Sequence, residues 1–383
     1  MTLHARMAMV FLAALPISTA FANVMLLILA VTALLQGKSM RHTIVKRLQT
    51  KFAVVAVLFA AWNALSLLWG QDVAAGIEGL KAQRLLLLPL FWPPGESTNW
   101  RFGLLLGTAL AGAASVLASA GLVLPGVEVF DGRVVPFQHP IVLGVLCAAG
   151  LVLALDAWSI CSPRYRLTIA AAVVLTLFAL LLSGSRTGLL ATLTALPISL
   201  VMLHRRVRIA ALAGIALAVP IGLWQHDILE DRWSDAWQEL GQWRESPESS
   251  VGWRVAALDA AWEVGIQRPW VGQGYGGVRS AVPVDHPVRA QSERFSSEHE
   301  GPLNLHNSWA NAFARTGVVG VLLLMGFCGG AASVILRPES IHQSSGLGLL
   351  AVWGVLGLFD AGFGTGVTLA ILALAVAGRE RLK

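Results

Sequence analysis

Few side chains in this sequence can do chemistry, and four of them stand at the margins of long apolar runs. His306 opens the second residue of LHNSWANAFARTGVVGVLLL, from Leu305 to Leu324. A histidine titrates near neutral pH, so it can serve as a base or simply as a satisfied polar group. Arg186 follows the run ending LLSGS, Arg254 begins WRVAALDAAWEVGIQ with Trp253, and Asp360 closes AVWGVLGLFD. A guanidinium offers a rigid fork of donors that matches phosphate oxygens in pairs. The plainer readings are a snorkelling Arg186 and an Asp360 that caps its run beside Gly362. Ionisable groups at the edge of a membrane domain are costly and need a partner or a purpose.

The elements that must position these groups are apolar. The chain has 383 residues, of which 56% are hydrophobic and 13% charged. Repeated apolar runs of about 18 residues or more mark membrane-spanning helices and exclude an ordinary soluble domain. The fold class expected is an all-α polytopic membrane protein. Runs and breakers place helices near 7–19, 21–36, 51–69, 80–92, 101–124, 138–157, 165–184, 187–203, 207–224, 306–336, 344–360 and 362–378, about twelve in all. The domain plan is 1–224 for nine transmembrane helices, 225–305 for one long polar loop with short helices, and 306–383 for three more helices and a tail. The first run leads at once into another, so it reads as an anchor and not a cleaved signal. Trp69, Trp92, Trp100 and Trp224 stand at run ends, where amphipathic rings settle at the lipid–water boundary.

Orientation follows from charge. With a cytoplasmic N-terminus, the pieces KSMRHTIVKRLQTK, SPRYR, HRRVR and GRERLK all fall on the cytoplasmic side. The short outer loops carry only Lys81, Arg84, Arg133 and Arg186. This asymmetry obeys the positive-inside rule and places both termini in the cytoplasm. The loop 225–305 then lies outside, which in a bacterial inner membrane is the periplasm. The net charge of +6 is thereby spent on topology, and nucleic acid is not the expected partner. Cys147, Cys161 and Cys328 lack pairing or metal-ligand spacing, so neither a disulfide nor a metal site is expected.

Within the outer loop all seven basic residues are arginine: 232, 244, 254, 268, 279, 289 and 294. A codon bias explains such a set as readily as phosphate binding does. Val255, Leu258, Trp262 and Ile266 recur at helical spacing, with Ser249 or Ser250 as N-cap, so 253–267 reads as a helix on the membrane surface. Arg254 in its first turn opposes the helix dipole, a conflict that a bound anion would relieve. GQGYGG matches G-x-G-x-x-G at Gly272, Gly274 and Gly277, but it follows a helix and not a strand, so it reads as a flexible turn. Asp227, Asp231 and Asp235 share a helical face without the glycine-bearing loop of a cation site. No carboxylate pair stands as a glycosidase acid and base would.

Three stretches together carry a family resemblance. His306-Asn307, nine residues, then Gly317-Val-Val-Gly320 resembles the H-[NSQ]-x9-G-x-x-G signature of bacterial O-antigen ligases. SGSRTGLL, from Ser183 to Leu190, and WRVAALDAAWEVGIQRPWVGQGYG, from Trp253 to Gly276, resemble the same superfamily, which includes O-antigen polymerases and protein O-oligosaccharyltransferases. The likeness spans most of 165–378; the N-terminal third contributes topology alone.

That resemblance implies a GT-C-like, lipid-dependent glycosyltransferase that moves a finished polysaccharide from undecaprenyl diphosphate to lipid A–core sugar. It implies no nucleotide, cofactor or essential metal, and membrane lipids as surroundings. The expected roles are His306 as general base, Arg186 and Arg254 on the diphosphate, Arg279 as a weaker third cation, and Asp360 orienting the histidine or meeting an arginine. The rival of another class is a polysaccharide or lipid transporter. Transporters often show internal repeats and charges near the bilayer midplane, whereas no repeat is evident here and the charges gather at the outer edge.

Overall fold

The computed structural model describes residues 2–81, 83, 88–92, 101–130, 133–201, 234–235, 237–245, 247, 249–289, 303–336 and 343–359. The helices are α1 (Leu3–Ala14), α2 (Thr19–Leu35), α3 (Lys38–Leu48), α4 (Lys51–Leu65), α5 (Val73–Lys81), α6 (Leu88–Phe91) and α7 (Arg101–Ser119), followed by α8 (Pro140–Ile160), α9 (Arg166–Leu182), α10 (Arg186–Val201), α11 (Ser250–Gln267), α12 (Val278–Ala281), α13 (Ser308–Ile335) and α14 (Gln343–Phe359). Their starts are written in hydroxyl side chains. Thr2, Ser18, Thr50 and Ser249 each accept a hydrogen bond from the amide three residues on, which satisfies one of the donors a helix start leaves orphaned.

Among the described residues, five helical stretches are long and apolar enough to cross a membrane: Lys51–Leu68, Arg101–Ser119, Pro140–Ser159, Pro163–Leu182 and Ser308–Ile335. A sixth is added if α2 and the helix after it count as one span bent by 107°. The described part of the expected run 80–92 includes the end of α5 and all of α6, and α1 has 12 residues. The runs 207–224 and 362–378 lie outside the described residues. The basic stretch taken as a loop folds as α3, since nothing in KSMRHTIVKRL breaks a helix. Trp92 is fully buried, in the same core cluster as Phe11 and Leu12 of α1.

The run expected to continue to 124 stops at Ser119. Gly121 adopts φ +90°, and the amides of Gly121 and Leu122 bond back to Ala118 O and Leu117 O, a glycine-terminated Schellman end. The chain then forms a hairpin, an addition to an all-helical plan. β1 (Val127–Phe130) pairs antiparallel with β2 (Arg133–Pro136), Val129 opposite Val134. Its valines suit a pleated surface.

Glycines set the packing. α8 is the central helix, touching α7, α9, α10 and α14. On α7, a Cβ at Gly103 would lie 2.2 Å from Met9 O, and one at Gly107 would lie 2.4 Å from Ala13 O. The same helix meets α9 at Gly112, where a Cβ would be 1.8 Å from Leu175 O. With no hydrophobic drive between helices in lipid, such close backbone approach is a main source of association.

The two ends of the bundle differ. At one end Arg101 Nη1 pairs with Asp156 Oδ2 at 3.5 Å, both side chains 3% exposed, and Ser344 Oγ donates to Asp156 Oδ1 at 2.9 Å. Arg47 Nη1 donates to Trp92 O at 2.7 Å, and His4 bridges Thr32 and Phe91 O. The opposite end carries the hairpin, the α9–α10 turn, α11, and the start of α13.

Candidate functional site

The site end is assembled from antiparallel pairs. Ser199 Oγ donates to Ser344 O, fixing the far ends of α10 and α14 together. Thirteen residues back along α10 and fifteen forward along α14 are both about 20 Å at 1.5 Å per residue. Arg186, at the first residue of α10, therefore stands at the level of Phe359. Gly144 of α8 lies against Ser185 and Gly188 there.

Arg254 reaches the same place from α11. Its Nε donates to Phe359 O, in the last turn of α14, at 3.2 Å. The expected conflict between this arginine and its own helix dipole is thus met within the protein, by a backbone carbonyl of α14. Asn307 Nδ2 donates to the neighbouring Leu358 O at 2.9 Å. Two segments far apart in sequence therefore share the last carbonyls of α14.

His306 is one residue before the Asn307 cap, whose Oδ1 accepts from Trp309 N and Ala310 N at 2.9 Å each. The histidine backbone is left-handed, φ 47°, unusual for a side chain with a Cβ. Its amide donates to Asn304 Oδ1 at 3.0 Å, and its ring meets Trp253 edge-on at 6.1 Å between centroids. α11 thus presents an aromatic ring to the start of α13 through Trp253 and a cation to α14 through Arg254. The imidazole is half-buried.

Arg279 is half-buried in α12, and Val278 beside it packs with Leu303 and Leu305. This brings α12 against the segment leading to His306. Asp360 and the acidic residues Asp227 and Asp231 lie outside the described residues. So the structure brings Arg254, Trp253 and the His306–Asn307 segment to residues 358–359 of α14, sets Arg186 at the same end, and places Arg279 on the flank.

The glycines after His306 prove to be structural. Gly317 interrupts α13 with φ 67° and ψ −166°. The break frees backbone groups that the loop 269–274 takes up: Gln273 N bonds Ala314 O, Gly274 N bonds Arg315 O, and Val318 N bonds Pro269 O, at 2.7–2.9 Å. Trp62 Nε1 donates to Thr316 O at 3.1 Å. A Cβ at Gly317 would sit 2.3 Å from the Trp270 carbonyl carbon, and one at Gly272 would sit 2.4 Å from that of Arg315. GQGYGG is therefore a hydrogen-bonded insert in a broken helix and not the loose turn expected. At Gly320 a Cβ would strike the Thr316 side chain. Local spacing had no means of showing this, because the partners are about forty residues apart.

Trp253, Asn311, Arg315 and Arg133 were missed as site elements. Arg133 on β2 runs its side chain past Gly184, two residues from Arg186. Asn307, Asn311 and Arg315 recur every four residues, which is one face of a helix and was a readable signal.

The described residues define a polytopic helical membrane protein with a basic, imidazole-bearing site at one end. Residues 171–325 match the family model of O-antigen ligase, a segment that contains Arg186, Arg254, Arg279 and the whole His306–Gly320 motif. The match makes this segment similar to the O-antigen ligase family, a family of ligase- or polymerase-type glycosyl transfer in general. No curated protein matches the chain.

Proposed function

We propose that this protein transfers O-antigen polysaccharide from undecaprenyl diphosphate to lipid A–core oligosaccharide, at the periplasmic face of a bacterial inner membrane, within a GT-C-like architecture. The observation that carries the reading is the meeting of Arg254, Trp253 and His306 over the end of α14, inside the family-matched segment.

In this reading Arg186 and Arg254 hold the diphosphate, with Arg279 in support. Positive charge fixed in advance lowers the cost of the departing anion. His306 takes the proton of the acceptor hydroxyl as its oxygen attacks the anomeric carbon. The bond from that carbon to the phosphate oxygen breaks, undecaprenyl diphosphate leaves with the electron pair, and the anomeric centre inverts. Asp360 orients the histidine or meets an arginine. The diphosphate leaving group supplies the driving force, so the step needs neither nucleotide nor metal.

Reconstitution with lipid-linked O-antigen and rough lipopolysaccharide tests the assignment. Sugar appearing on the lipid A–core supports it. Longer lipid-linked chains would make the protein an O-antigen polymerase, and glycan on serine or threonine side chains a protein O-oligosaccharyltransferase. Passage of glycan across the bilayer without transfer would mean a transporter.

A further inference from the structure

One face of α13 is polar against the chain that precedes it. Asn307, Asn311 and Arg315 stand at four-residue spacing, and the last two grip the segment 303–307, which runs back along the helix. Arg315 Nη2 donates to Leu303 O at 2.8 Å. Asn311 Oδ1 accepts from Leu305 N at 3.3 Å, while its Nδ2 donates to Asn304 Oδ1 at 3.3 Å and to Asn307 O at 2.9 Å. Asn304 Oδ1 in turn accepts the His306 amide. Every rung ends within three residues of the histidine.

The rungs are themselves fixed. Arg315 is only 6% exposed, and its guanidinium lies 4.9 Å from the centre of the Tyr275 ring. Tyr275 is held by Gln83 Nε2 on its hydroxyl and by its own amide on Ser66 Oγ. Among the described residues no carboxylate lies within ion-pair distance of Arg315, and its buried Nε has no hydrogen-bond partner. Burying a cation is expensive unless polar or aromatic partners meet it. What it obtains in return is a carbonyl of the histidine segment and an aromatic face.

We propose that Asn311 and Arg315 are positioning residues that hold His306 in its left-handed conformation and aim the imidazole, a role that rests on the base assignment above. Reacting groups misplaced by about 1 Å can lose roughly a hundredfold in rate. The nine residues between Asn307 and Gly317 thus contain two of the motif's working parts.

The test uses full-length protein in detergent or liposomes, with lipid-linked O-antigen as donor and rough lipopolysaccharide as acceptor. Asn311→Leu and Arg315→Met should each lower kcat by about 10- to 100-fold while donor KM stays within about twofold, the pattern of lost orientation and not lost binding. Arg315→Lys, which keeps a donor for Leu303 O, should recover part of the rate. Placed on His306→Ala, either substitution should cost nothing more, because residues that act as a unit do not add. Hydrogen exchange supplies a readout free of chemistry: peptides covering 303–307 should exchange at least about tenfold faster in Asn311→Leu, with α4 and α8 unchanged. Normal kcat in both variants, losses that multiply on His306→Ala, or unchanged exchange at 303–307 would each overturn the proposal. A His306→Ala protein with wild-type turnover would instead remove the base assignment, and unchanged or faster exchange would still decide whether the ladder holds the segment.

Discussion

At the scale of residues, the last two carbonyls of α14 are shared by an arginine from α11 and an asparagine from α13. Asn307 does two jobs with two ends of one amide. Its oxygen caps α13 and its nitrogen ties α14. Asn307→Asp should therefore keep the cap but lose the tie, costing about 1 kcal/mol of stability, whereas Asn307→Ala loses both and should cost about 2 kcal/mol. Thermal melting of the purified variants orders them; equal losses would show that the cap contributes nothing, and an unchanged Asn307→Asp that the tie does not. For Arg186 and Arg254, replacement by lysine keeps the charge and removes the fork. Donor KM should rise about tenfold or more, the equivalent of one lost charge-assisted hydrogen bond. Steady-state kinetics with varied donor checks this, and an unchanged KM in both variants would remove the phosphate-fork argument. The residue types at the site were readable because each breaks an apolar pattern. Their geometry was not: the answer to the Arg254 dipole conflict is a carbonyl 105 residues away.

At the scale of elements, the broken helix α13 and the insert 269–274 form one unit. Gly317 needs a left-handed backbone and has no room for a Cβ. Gly317→Ala should lose about 2–4 kcal/mol, from backbone strain together with overpacking. Gly329, in the same helix, has nothing within 4 Å of a Cβ, so Gly329→Ala should leave the melting temperature level or slightly higher. Equal destabilisation of the two would mean that the interlock is not rigid. Most helices were legible, since apolar period and hydroxyl caps are local signals; Ser249 before α11 is an example. Three features escaped for a common reason. The α3 helix, the hairpin after α7 and the glycine insert depend on short-range context or distant backbone partners that run-counting does not see.

At the scale of the whole molecule, the polar groups separate into two ends. The buried Arg101–Asp156–Ser344 cluster closes one, and the candidate site opens at the other. The orientation proposed from charge asymmetry puts the site end outside. With Cys147, Cys161 and Cys328 replaced by serine, Val123→Cys beside the hairpin should react with an impermeant maleimide in intact spheroplasts, and Leu167→Cys only after permeabilisation. Both positions are highly exposed, at 98% and 81%. The reverse labelling pattern would turn the site toward the cytosol and end the proposed reaction. The central claim, an imidazole acting as base beside a guanidinium-held diphosphate, is tested most directly by single-turnover transfer at saturating donor. His306→Ala, purified at wild-type yield and melting temperature, should slow glycan transfer by about 10²- to 10⁴-fold while still binding the lipid-linked donor. Transfer at the wild-type rate by that variant would contradict the account.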